Sequence, residues 1–88
     1  MEESLTMNDG MVLERSSAIL SWNLFVYLRE VGFREAFEML TDPEKTARIV
    51  YTRNSGEQAV FEGYTRLTAI TDEGNGLVTA VLRKDVNG

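Results

Sequence analysis

The chain has 88 residues, no Cys and no His, and fourteen acidic against nine basic residues for a formal charge of -5. That composition excludes disulfides, Cys/His zinc sites, thiolate nucleophiles and the side chain that ordinarily exchanges protons near neutral pH. The length fits one small domain whose stability rests on tight packing or on subunit association, and the acidic balance disfavours nonspecific attraction to a nucleic-acid backbone or to anionic lipid.

Met1, Glu2 and Glu3 are acidic where a signal peptide needs a basic segment, and the longest apolar run, Leu24 to Leu28, is five residues. A membrane-spanning helix requires about 20. The expectation is therefore a cytoplasmic protein with no membrane partner, consistent with the missing cysteines. Charge is unevenly distributed: residues 1 to 44 carry nine acids and three bases, residues 45 to 88 five acids and six bases. A domain polarised in this way suits head-to-tail association or a basic partner.

In chain order, residues 1–10 read as a flexible leader without an apolar period, ahead of a single small α+β domain over 11–88. The next stretch supports two patterns. Leu20, Leu24, Leu28 and Val31 recur at about one helical turn, with Ser16 or Ser17 as a cap, Trp22 and Phe25 widening the face, and Gly32 ending the helix through a Leu28–Phe33 contact. Leu20, Trp22, Leu24, Val26 and Leu28 also alternate strictly, which is a strand pattern. Either way, Phe33 to Leu40 predicts a short helix stopped by Thr41, Asp42 and Pro43.

Beyond Pro43 the period shortens to that of strands. Ala47 to Arg53 predicts a first strand, Asn54-Ser55-Gly56 a hairpin turn, and Glu57 to Thr71 a long second strand with a bulge or bend at Gly63. Asp72 to Gly76 forms the next turn, and Leu77 to Lys84 returns with Val78, Ala80 and Leu82 on one face and Thr79, Val81 and Arg83 on the other. The fold class is thus α+β: an N-terminal helix (or strand) and a short helix packed on a three-stranded antiparallel β-meander. Its outward side carries Thr65, Thr68, Thr71 and Thr79 with Arg48, Arg53 and Arg66.

No catalytic constellation emerges. The five serines have no imidazole base, and no serine elbow, Walker loop or dinucleotide glycine pattern occurs. Asp72-Glu73-Gly74-Asn75-Gly76 is too short for a calcium loop and reads as a turn, while Glu35 and Glu38 read as a solvated helix face. No cofactor or metal is expected, and the chain is read as a non-enzyme. Tyr51, Phe61 and Tyr64 with Arg48, Arg53 and Arg66 interleave aromatic and basic residues as a sheet-based nucleic-acid module would, against the overall charge. The reading that remains is a noncatalytic protein-interaction or assembly module, a homo-oligomer or a binder of another protein, with Trp22, Phe25, Tyr27, Glu35, Glu38 and Arg66 as candidate interface residues. Trp22, Phe25 and Tyr27 are hard to bury together on one narrow helix stripe, which leaves apolar surface for a partner to cover. An acidic inhibitor that mimics nucleic acid, using Glu35 and Glu38 against a basic protein surface, is the alternative.

Overall fold

The strict alternation of Trp22, Leu24, Val26 and Leu28 decides the conformation of this stretch. In the computed structural model Ser21–Arg29 is a strand, with Leu24, Val26 and Leu28 all buried. A helix would have kept Leu24 and Leu28 together but turned Val26 about 200° away from Leu24. Only the pleat buries all three, so the N-terminal helix is replaced by a strand. Gly32 does not end a helix. It precedes one, with extended backbone at φ -64°, ψ 151°.

The structure describes residues 5–7, 11–18 and 21–85. Its elements in chain order are β1 (Leu5–Met7), β2 (Met11–Ala18), β3 (Ser21–Arg29), α1 (Phe33–Leu40), α2 (Pro43–Thr46), β4 (Arg48–Thr52), β5 (Gln58–Glu62), β6 (Arg66–Gly74) and β7 (Leu77–Asp85). The chain is α+β, and the strands form two sheets of order β1-β4-β5 and β2-β3-β7-β6. The expected three-stranded meander is thereby corrected, and the helices fall in mid-chain. Within the segment expected as a leader, Leu5 and Met7 are buried and β1 pairs in parallel with β4. The rest of that segment lies outside the described residues, as does Leu20.

Gly63 is where the single long strand divides. At φ +88° it adopts a backbone conformation that costs a residue with a side chain, and its N–H donates to the Ala47 carbonyl at 3.0 Å. Before it, β5 pairs with β4 in the smaller sheet; after it, β6 pairs with β7 in the larger one. The bulge itself lies further on. Leu67 is opposite Leu82 and Ala69 opposite Val81, so Thr68 is the extra residue, and its hydroxyl donates to the Val81 carbonyl at 3.1 Å. That extra residue lets both Leu67 and Ile70 pack against the core.

The first turn forms at the expected residues, whereas the second narrows from Asp72–Gly76 to Asn75 and Gly76, because β6 continues through Gly74 and pairs it with Leu77. Gly56 N–H donates to the Arg53 carbonyl at 2.8 Å in the β4–β5 hairpin. In the β6–β7 hairpin Asn75 and Gly76 have φ of 54° and 77°, the left-handed pair that a type I′ turn demands. Helix α1 has the predicted bounds and buries Ala36 and Leu40. Pro43 does more than stop it: α2 starts there, with the Asp42 carboxylate accepting the Glu44 N–H at 3.0 Å. Thr46 is buried and its hydroxyl donates to the Asp42 carbonyl at 3.2 Å.

The core lies on one side of the four-stranded sheet. Leu24, Val26 and Leu28 of β3 meet Val78, Ala80 and Leu82 of β7 there, together with Ala36 and Leu40 of α1 and Ile49 of β4. Helix α1 and the smaller sheet therefore share that side, and the opposite face of the four-stranded sheet looks outward.

Candidate functional site

Because Leu24, Val26, Leu28, Val78, Ala80 and Leu82 point into the core, the residues between them point away from it. Register then assembles the outer face in rows. Phe25 stands beside Val81, which is opposite Ala69; Tyr27 stands beside Thr79, which is opposite Thr71. Phe25, Tyr27, Thr79 and Val81 are half-buried by their neighbours, whereas Ala69 and Thr71 on the edge strand β6 are exposed. Phe25, Tyr27, Ala69, Thr71, Glu73, Thr79 and Val81 line an open groove of about 200 Å³.

Both ends of this face carry charge. At one, the Glu73 carboxylate accepts the Thr79 hydroxyl at 2.8 Å, and Arg29, which has the parity of Tyr27, is exposed. At the other, a single row reads Arg15, Asn23, Arg83, Arg66 across the four strands. The Arg15 guanidinium sits 5.8 Å from the centre of the Phe25 ring, close enough for a cation–π attraction. Arg83 and Arg66 are direct cross-strand partners.

A second apolar surface lies on α1. Phe33 and Phe37, one turn apart, stack with ring centres 6.4 Å apart and remain 42% and 44% exposed. Glu35 and Glu38 are exposed on the same helix. Ala36 and Leu40 dock α1 on the core side of the four-stranded sheet, and at 100° per residue Phe33 and Phe37 flank that docking stripe whereas Glu35 and Glu38 point to the other side of the helix.

Of the six predicted interface residues, the structure brings Phe25, Tyr27 and Arg66 onto one face. Trp22 does not join them: it has the parity of the core-facing set, opposite Lys84, at an end of β3 where it is 36% exposed. Glu35 and Glu38 belong to the α1 surface. The aromatic set considered for stacking bases is used internally instead. Phe61 and Tyr64 meet edge to face at 6.3 Å, Tyr64 is buried, and the Lys84 ammonium lies 5.3 Å from the Tyr64 ring centre. Tyr51 is half-buried, with the Arg53 guanidinium 6.0 Å from its ring centre. Arg15, Arg83, Ala69, Phe33 and Phe37 escaped the sequence-based selection. Alternation had already placed Val81 and Arg83 on the outward side, but the partners that complete their rows are distant in sequence.

In the Asp72–Gly76 turn the Asp72 carboxylate accepts the Gly74 N–H at 3.0 Å, and with Glu73 bonded to Thr79 both carboxylates serve the hairpin. Among the described residues no three Asp or Glu side chains gather into a metal-holding group, and no helix is long and apolar enough to cross a membrane. No protein-family model matches this chain, and neither a curated protein nor a solved structure matches it significantly.

Proposed function

We propose that this chain is a noncatalytic assembly module that associates with copies of itself through the outer face of its four-stranded sheet. The observation that supports this reading is the composition of that face. An antiparallel sheet with one side on a core ordinarily offers polar residues to water on the other, whereas here Phe25, Tyr27, Ala69 and Val81 form a contiguous apolar strip along the groove. Covering such a strip is favourable by about 25 cal/mol per Å². For a domain of 88 residues without a disulfide, association is one of few available sources of added stability.

Native mass measured by light scattering behind a sizing column, over a concentration series, tests this reading. Wild type is expected to exceed 9.9 kDa, either as a discrete multiple or with mass rising with concentration. Ala69→Lys, which puts a charge into the groove from an exposed edge-strand position, is expected to return the mass to that of the monomer with the fold intact. A wild type that stays monomeric at every concentration would overturn the proposal.

A further inference from the structure

We infer that the Asn75-Gly76 turn is a self-modification site, held in check by the fold and released when the β6–β7 hairpin opens. The Asn75 carboxamide then closes on the Gly76 nitrogen and position 75 becomes isoaspartate. The inference is independent of the self-interface proposed above. Three observations carry it.

The first is the chemistry of the pair. Both residues are exposed, and among the described residues neither the Asn75 carboxamide nor the Gly76 N–H takes part in a hydrogen bond. Glycine has no side chain to shield its nitrogen, whereas Asn8, Asn23 and Asn54 precede Asp9, Leu24 and Ser55. In the reaction the Gly76 nitrogen attacks Cγ of Asn75. The N–Cγ bond forms, the Cγ–Nδ2 bond breaks, and ammonia leaves with the proton from the Gly76 nitrogen. Water then opens the five-membered succinimide. Cleavage of its N–Cγ bond gives aspartate; cleavage of the bond between N and the main-chain carbonyl carbon gives isoaspartate, in which the chain runs through Cβ and Cγ.

The second is the gate. Asn75 at φ 54° and Gly76 at φ 77° have the left-handed pair of a type I′ turn, whose first central residue takes ψ of about +30°. At that ψ the Gly76 nitrogen is nearly anti to the Asn75 Cβ about the Cα–C bond, on the wrong side for ring closure. The chain must leave the turn before it reacts. Two contacts keep it there: the Asp72 carboxylate accepts the Gly74 N–H at 3.0 Å, and the Gly76 carbonyl accepts the Glu30 N–H at 2.7 Å. The conformation for which Asn-Gly is preferred is thus the one that protects it.

The third is the consequence. Gly74 pairs with Leu77 across the two turn residues, and isoaspartate lengthens the main chain there by one atom. Turn type and loop length fix the register of a hairpin, so β6 loses its defined pairing with β7. As the edge strand, β6 joins the sheet through β7 alone, and it supplies Ala69, Thr71 and Glu73 to the outer groove. A local opening, which needs less free energy than global unfolding, is thereby turned into a lasting loss of that groove wall.

Peptide mapping by mass spectrometry, with isoaspartate resolved from aspartate, tests the inference on the full chain at mildly alkaline pH. The map assigns Asn75 separately from Asn87, which also precedes a glycine. In guanidinium chloride Asn75 is expected to convert as fast as in a synthetic peptide of residues 72–79, and in buffer at least tenfold more slowly. Asp72→Ala removes the acceptor of the Gly74 N–H and should raise the rate in buffer without changing it in denaturant. Should that variant lose the wild-type dichroism, the wild-type comparison stands without it. Chains aged in denaturant and refolded should show faster amide hydrogen exchange across β6 and β7 where position 75 is isoaspartate, while an Asn75→Gly chain aged in the same way keeps wild-type exchange. Equal rates in buffer and denaturant would remove the gate, an Asn75 that stays intact in denaturant would remove the site, and isoaspartate chains with wild-type exchange would remove the consequence; each contradicts the inference. None of these readouts depends on native mass, so a monomeric wild type would overturn the self-interface alone.

Discussion

Three valines placed at different depths allow the layered fold to be tested with a single substitution. Val26 on β3 is fully buried at 0% exposure, Val81 on β7 is half-buried on the outer face, and Val60 on β5 is 46% exposed. Replacing Val26 with Ala removes two methyl-sized groups from the core, worth about 1.6 kcal/mol at ~0.8 kcal/mol each. A void of about 50 Å³ that fails to collapse adds ~1.2 kcal/mol. The expected loss is therefore about 1.6–2.8 kcal/mol, a melting shift of roughly 6–22 °C for a domain of this length. Val60→Ala should stay within about 0.5 kcal/mol, with Val81→Ala between the two in dilute solution. Urea titration followed by circular dichroism measures all three, and an unchanged m-value would confirm that the denatured state is not the source of the effect. The Val81 effect should grow with protein concentration, because folding and association are linked, while that of Val26 should not. Equal costs at the three sites, or a Val60 cost exceeding that of Val26, would refute the assignment of inner and outer faces.

Local features yield further expectations. Asp42→Ala removes the acceptor of the Glu44 N–H, bonded at 3.0 Å, and should cost about 1 kcal/mol; an unchanged melting temperature would show the cap to be idle. Gly76→Val places a β-branched residue at φ +77° and should cost about 1–2 kcal/mol, whereas Asn75→Gly should be tolerated; equal stability of the two variants would contradict the turn geometry. Glu57→Gln breaks the Arg53 ion pair at 3.3 Å, whose side chains are 47% and 71% exposed. That change should alter stability by less than about 0.5 kcal/mol at any ionic strength, and a larger salt-dependent loss would mean the pair is more shielded than its exposure indicates.

Features specified by neighbouring residues were legible in the sequence. The bounds of α1, the grouping of Val78, Ala80 and Leu82 on one face, the turn at Asn54–Gly56 and the Asn75-Gly76 part of the next turn all follow from local period and turn chemistry. The strand β3 was ambiguous because Leu24 and Leu28 share a face in either conformation, leaving Val26 to separate the two patterns. Trp22, Phe25 and Tyr27 were grouped as though on one surface, but the pleat sends Trp22 to the opposite side from the other two. What could not be read was nonlocal. The parallel pairing of β1 with β4 joins Leu5 to Ile49 through a three-residue strand, too short to carry a period. Gly63 was read as a bulge or bend within one strand, whereas it separates β5 from β6, because whether the chain stays beside β4 or crosses to β7 depends on which partner lies across it. The arginine row combines residues from β2, β6 and β7, so only the assembled sheet reveals it. Pro43 was read as a stop because its second role, opening α2 behind the Asp42 cap, occupies only four residues.

The outer sheet face as a self-interface is tested most directly by methyl NMR spectra recorded across a dilution series. The methyl resonances of Val81 and Ala69, together with the ring resonances of Phe25 and Tyr27, are expected to shift progressively with concentration while the buried methyls of Val26 and Val78 stay fixed. Shifts confined to Val60 and its neighbours, or spectra that do not change over the whole range, would contradict the account.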